Sequence, residues 1–166
     1  MNLVLIGMMG CGKSTCGQLL AGRMNRELVD MDSVIQQREG RSICHIFAAE
    51  GEGYFRDLES AMAKELSRRD NLVISTGGGV ILREENVAAL RENAMVVWLN
   101  RSAEHIFDGV ALDDRPLAQD GKKAFLERFA QREGKYRAAA HVIVEDFSSP
   151  EATAQCILSH WTDFSK

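Results

Sequence analysis

Five short apolar runs recur along this chain, separated by stretches with helical spacing, and that alternation limits the fold more than any other feature. The runs are "NLVLI" (2–6), "ELVD" (27–30), "NLVIST" (71–76), "AMVVWL" (94–99) and "HVIVE" (141–145). They are aliphatic and mostly lack the polar alternation of a sheet with one wet face, so they read as buried parallel strands. Between them apolar residues fall three and four apart, as in Leu19, Leu20 and Met24, or Leu58, Met62 and Leu66. The pattern predicts a three-layer α/β/α fold around a five-stranded parallel sheet. A chain of 166 residues fits one such domain. In these sheets ligands sit outside the carboxyl ends of the strands, so functional residues are expected just after strands.

Two stretches break the alternation. Residues 33–68 are too many for one crossover helix, with breaks at "REGRS" and "EGEGY", and read as a helical insertion. "GVALDDRPLAQDG" is polar, bracketed by glycines and poor in helical pattern, which suits a lid over 109–121. The expected division is therefore a core of 1–32, 69–108 and 122–166 carrying these two additions. Ser149 and Pro150 are expected to open the last helix as N-cap and first helical residue.

Composition narrows the function. A net charge of -4 argues against a general binder of nucleic acid or anionic membrane, and no apolar run is long enough to cross a bilayer. "MNLVLIG" reads as a first strand and not as a signal peptide. The four cysteines show no C-x-x-C spacing, so neither a disulfide framework nor a zinc site is expected. A cytoplasmic, reduced protein follows. A monomer is expected, because no exposed apolar helix face stands out.

The chemistry begins at "GMMGCGKST" (7–15), directly after the first run. Gly7, Gly12, Lys13 and Ser14 fit G-x-x-x-x-G-K-[ST] between a strand and a helix. Such a loop curls its backbone N–H groups around phosphates, and the helix N-terminus adds partial positive charge. Gly10, Cys11, Gly12, Lys13, Ser14 and Thr15 are the candidate nucleotide contacts, with Lys13 reaching the β- and γ-phosphates and Ser14 serving Mg²⁺. Cys11, at a helix N-terminus, is either a small residue tolerated in the loop or a thiol whose oxidation blocks ATP. The guanine-reading N-K-x-D and the switch element D-x-x-G are both missing from the sequence. The third apolar run ends in three glycines where many ATPases place a metal-binding Asp.

The carboxylate is expected from "ELVDMDS" instead. In an extended chain Asp30 and Asp32 point the same way, one toward Mg²⁺ and one toward an acceptor hydroxyl. The competing reading is a helix N-cap before "VIQQ". Gly77, Gly78 and Gly79 in "STGGGV" let a ligand approach the backbone closely, or form only a loose turn. Arg56, Arg115 and Arg132 would each pass alone for a solvated surface residue. Glu59, one turn after Arg56, is placed to pin it.

Taken in order, "GMMGCGKST", "LVDMDSVIQQREGRSICHIFAAEGEGYFRDLE", "ISTGGGV", "DRPL" and "QREGKYR" make the chain similar to the shikimate kinases over nearly its whole length. The resemblance implies a P-loop kinase fold and transfer of the γ-phosphate of ATP to the 3-hydroxyl of shikimate, a step toward chorismate and the aromatic amino acids. It implies that Lys13 and Ser14 serve the phosphates and Mg²⁺, with Asp30 assisting at the metal. Asp32, Arg56, Gly77, Gly78, Gly79 and Arg132 would hold shikimate, Phe47 and Phe55 would wall its pocket, and Arg115 would reach the transferring phosphate. Catalysis would thus rest on Lys13, Asp32 and Arg115. Members often carry an arginine against the adenine seven residues before the lid arginine, where this chain has Asp108. Pro150 is left as the opposite wall, and relaxed nucleotide selectivity is the expectation. A related kinase acting on gluconate, and a nucleotide-binding module without catalysis, stand as the alternatives.

Overall fold

A computed structural model describes residues 1–109, 121–145 and 147–166, with the side chains of residues 108 and 109 left aside. Among these residues the five apolar runs form five strands: β1 (Asn2–Ile6), β2 (Glu27–Asp30), β3 (Leu72–Ser75), β4 (Ala94–Leu99) and β5 (Val142–Val144). All neighbours pair in parallel, in the order β2-β3-β1-β4-β5. The centre of the sheet is dry on both faces: Leu3, Val4, Leu5, Val73, Ile74, Met95 and Val97 are all 0% exposed. That burial explains their continuous apolar runs.

Among the described residues eight α-helices connect and cover the strands: α1 (Lys13–Met24), α2 (Met31–Glu39), α3 (Ile43–Glu50), α4 (Glu52–Ser67), α5 (Glu84–Glu92), α6 (Ala103–Gly109), α7 (Gly121–Ala139) and α8 (Pro150–Phe164). The chain leaves β1 toward β2 on one side and leaves β3 toward β4 on the other. Right-handed crossovers therefore put α1 and α5 on opposite faces. The crevice between the carboxyl ends of β1 and β3 is the switch point at which such sheets bind ligands. The phosphate loop leaves β1 there, and the glycine triplet leaves β3.

Local chemistry sets the helix ends. Asn25 closes α1 and Gly40 closes α2, both in the left-handed conformation (φ 51 and 66). Ser42 caps α3 by accepting from His45 N at 3.2 Å. Gly51, at φ 85, separates α3 from α4. The breaks expected at "REGRS" and "EGEGY" thus fall between α2 and α3 and between α3 and α4. Ser149 Oγ accepts from Ala152 N at 3.0 Å, with Pro150 opening α8 as expected. On α4 the buried face differs from the periodicity reading. Met62 and Leu66 are buried, but Leu58 is only half-buried, and Arg56 and Glu59 are buried with Phe55. The first half of that face is given to charge. Residues 110–120, with most of the expected lid and Arg115, lie outside the described residues.

Candidate active site

The loop after β1 turns through Gly7, Gly10 and Gly12, all at positive φ. Gly7 is also fixed by contact, since a Cβ there would fall 2.8 Å from Cys11 Sγ and 2.9 Å from Leu99 O. Lys13 folds back into the loop, donating to Gly7 O and Met8 O at 2.8 Å each. Cys11 is 1% exposed, with Sγ 3.7 Å from Lys13 Nζ, so its thiol is packed inside the loop and not offered to solvent.

Of the two readings of Asp30, the helix N-cap is the one seen directly. As N-cap of α2 its Oδ1 accepts from Ser33 N at 3.0 Å, while Oδ2 accepts from Ser14 Oγ at 2.9 Å. Burial alone would raise its pKa. Hydrogen bonds from Ser33, Ser14 and Ser75 outweigh that and hold the carboxyl below its usual 3.8. Asp32 is not in an extended segment as expected: it lies in the first turn of α2. The strand stops at Asp30 because its capping bond turns the chain into the helix. Both carboxylates still border one cavity of about 230 Å³, together with Gly12, Lys13, Ser14, Thr15 and Gly78. Ser14 and Asp30 offer the hard oxygen donors that suit Mg²⁺. Among the described residues no cluster of three or more His, Cys, Asp or Glu could hold a metal unaided.

A second cavity, of about 540 Å³, adjoins the first and is also lined by Asp32. Phe47, Phe55, Arg56, Gly77, Gly78, Gly79 and Arg132 all line it, so every candidate acceptor residue comes together there. Phe47 and Phe55 meet as tilted rings with centroids 5.1 Å apart. Arg56 is 6% exposed, bonded to Glu59 through Nη1 and to Glu52 Oε1 through Nη2 at 3.0 Å. Burial opposes its charge, but the Glu59 and Glu52 carboxylates outweigh burial and hold the guanidinium above its usual pKa. Arg132, also 6% exposed, donates from Nη1 to Gly78 O at 3.4 Å, and burial lowers its pKa.

The glycine triplet is required by close approach. None of the three has the positive φ that favours glycine. A Cβ on Gly77 would fall 2.6 Å from Glu59 Oε1 and 2.8 Å from Asp32 Oδ1, and one on Gly79 would fall 2.1 Å from Arg56 Nη1. The backbone is therefore pressed against the charged groups themselves. Sequence reasoning missed Tyr136. Its hydroxyl donates to Gly78 O, its ring is 0% exposed, and it stacks on Trp98 with centroids 5.7 Å apart. Its place four residues after Arg132, on the same face of α7, was the available signal.

A third cavity, of about 320 Å³, is bordered by Gly12, Thr15 and Pro150 and shares no lining residue with the acceptor cavity.

Known proteins match this arrangement. The family model described as shikimate kinase matches residues 9–162. The chain belongs to the shikimate kinase family. The shikimate kinase of Chromohalobacter salexigens is 43% identical over 161 residues, covering 95% of this chain and 89% of its own. Among solved structures, a shikimate kinase from Acinetobacter baumannii in complex with shikimate aligns at TM-score 0.93 with 34% identity, covering 98% of this chain and 93% of that one. The Aquifex aeolicus shikimate kinase aligns at 0.88, also at 34% identity, over 99% of this chain and 98% of its own. As a shikimate kinase the chain is an ATP-using phosphotransferase acting on shikimate.

Proposed function

We propose that the chain transfers the γ-phosphoryl group of ATP to the 3-hydroxyl of shikimate, with the two substrates in the adjoining cavities on either side of Asp32. The observation that carries this reading is the shared border. Met9, Ser14, Asp30, Asp32 and Gly78 line both the phosphate cavity and the larger one, which supports a terminal phosphate and an acceptor meeting at that border. Shikimate is a carboxylate with ring hydroxyls. Two buried arginines in a chain of net charge -4 supply what it needs, because a planar guanidinium matches a carboxylate with two parallel hydrogen bonds.

The step forms a bond from the 3-hydroxyl oxygen to the γ-phosphorus and breaks the bond from that phosphorus to the β,γ-bridging oxygen. ADP leaves, and the hydroxyl proton passes to Asp32 or to water. In a loose transition state Asp32 acts first by orienting the hydroxyl and accepts the proton late. Lys13 offsets charge on the phosphoryl oxygens, and in this reading Arg115 joins it. Ser14 and Asp30 would hold Mg²⁺, which would supply positive charge to offset that of the phosphates. The helices α2 to α4 serve as the acceptor-binding part of a single domain. We place the enzyme in the cytoplasm as a monomer, in keeping with the few large apolar residues exposed among those described, Met1, Tyr54 and Phe164. No helix among the described residues is long and apolar enough to cross a membrane.

A coupled assay for ADP release tests the reading. Turnover should depend on shikimate and stay at background with gluconate. Equal release with neither acceptor present would contradict it.

A further inference from the structure

The third cavity contains a residue that the catalytic reading leaves unused. It runs between the outer side of the phosphate loop, at Cys11, Gly12 and Thr15, and the segment Phe147–Pro150 that leads into α8. Its volume of about 320 Å³ is at the low end of small-molecule sites. This cavity borders the loop at Cys11, Gly12 and Thr15 and shares no lining residue with the acceptor cavity, which makes it the place offered to the base of a nucleotide whose phosphates fill the loop.

The side chains around this cavity are mostly committed elsewhere. Ser149 Oγ accepts from Ala152 N, and Thr153 Oγ1 donates to Ser149 O at 3.0 Å, so both hydroxyls serve α8. Arg101 differs. It follows β4, borders the cavity, and carries its Cζ over the Phe147 ring, 5.7 Å from the centroid. Among the described residues no carboxylate pairs with it. The two described arginines that line the acceptor cavity, Arg56 with Glu59 and Arg132 with Gly78 O, are each held by a protein acceptor. A guanidinium on one aromatic ring, beside a cavity open to another planar π-system, has the surface for stacking. Pro150 supplies an apolar surface from a different element of the same cavity.

We propose that Arg101, seated on Phe147, is the residue that fixes the affinity of this enzyme for the base of its nucleotide, while contributing nothing to phosphate or shikimate binding. The proposal rests on the reading that the loop holds ATP. It assigns base recognition to a residue directly after β4, outside the lid.

Calorimetric titration of ADP and of inorganic tripolyphosphate into the wild-type enzyme and Arg101→Ala separates base from phosphate. ADP affinity should fall about tenfold, the scale of one cation–π contact, with the tripolyphosphate affinity and the KM for shikimate unchanged. Phe147→Leu should give a smaller loss in the same pattern. Unchanged ADP affinity in Arg101→Ala would overturn the proposal. So would an equal loss for tripolyphosphate, which would make Arg101 a phosphate ligand. If the wild-type enzyme fails to turn over shikimate, the functional reading falls, and the ADP titration still decides Arg101.

Discussion

The acceptor side and the nucleotide side of this site are built on opposite plans. Around the 540 Å³ cavity, charge is buried and fixed in advance: Glu59 and Glu52 hold Arg56, and Gly78 O takes bonds from both Arg132 and Tyr136. On the nucleotide side, Lys13 holds its own loop through Gly7 O and Met8 O, so engaging a phosphate redirects its donors. Ser14 and Thr15 are exposed. A rigid acceptor pocket can select a small hydroxylated acid by shape and charge, because desolvation of its arginines was met during folding. On the nucleotide side, a bound phosphate would take Lys13 donors that now serve Gly7 O and Met8 O. Selectivity therefore belongs to the acceptor side, and adjustment to the nucleotide side.

The largest expected effect comes where the two sides join. Asp32→Asn should lower kcat by about 10²- to 10⁴-fold, the range for a lost acid–base group. ADP affinity, read by calorimetry, should hold. A drop in ADP affinity of the same size would move Asp32 to the nucleotide side and blur the contrast.

Next is Gly79→Ala, whose Cβ would fall 2.1 Å from Arg56 Nη1. Displacing that guanidinium should raise the KM for shikimate by about tenfold or more, the worth of a charge-assisted hydrogen bond, and leave the KM for ATP unmoved. A normal shikimate KM would show that the acceptor pocket is less rigid than described.

Tyr136→Phe removes the hydroxyl that donates to Gly78 O but keeps the ring on Trp98. The cost should be about 1–2 kcal/mol of stability, with a rise of a few-fold in shikimate KM. Chemical denaturation and steady-state kinetics would measure both, and an equal rise in both substrates' KM would contradict the division.

The smallest effect concerns acid stability. Asp30 is held below its usual 3.8 in the folded chain, so the folded form favours its ionised state. Its contribution is complete above that unfolded value and is lost as pH falls through the lower folded one. Melting temperatures of Asp30→Asn should differ from wild type near pH 6 and converge with it on acidification. A constant difference across the acid limb would remove the carboxylate charge from the account.

Sequence and structure agree best where local chemistry is decisive. Five buried strands announce themselves by unbroken aliphatic runs, and Gly40, Gly51 and Ser149 mark helix ends through backbone conformation or capping. The loop from Gly7 to Thr15 is legible for the same reason. Long-range packing is where reading fails. The helix start near Asp32 is one of two readings of "ELVDMDS", and local sequence does not choose between it and an extended segment. The spacing that places Glu59 to pin Arg56 is seen, but that both are buried follows only when Gly77 and Gly79 are brought against that face of α4. Tyr136 reads as core, and its hydrogen bond exists only because α7 returns to the glycine triplet after β3.

The most direct test of two adjoining substrate cavities divided by Asp32 is a crystal structure of the enzyme with shikimate and ADP. The 3-hydroxyl should lie within hydrogen-bonding distance of the Asp32 carboxylate, the shikimate carboxylate on Arg56 and Arg132, and ADP should run from the loop toward Pro150. Shikimate found away from Asp32, or ordered only outside the cavity lined by Phe47 and Phe55, would contradict this arrangement.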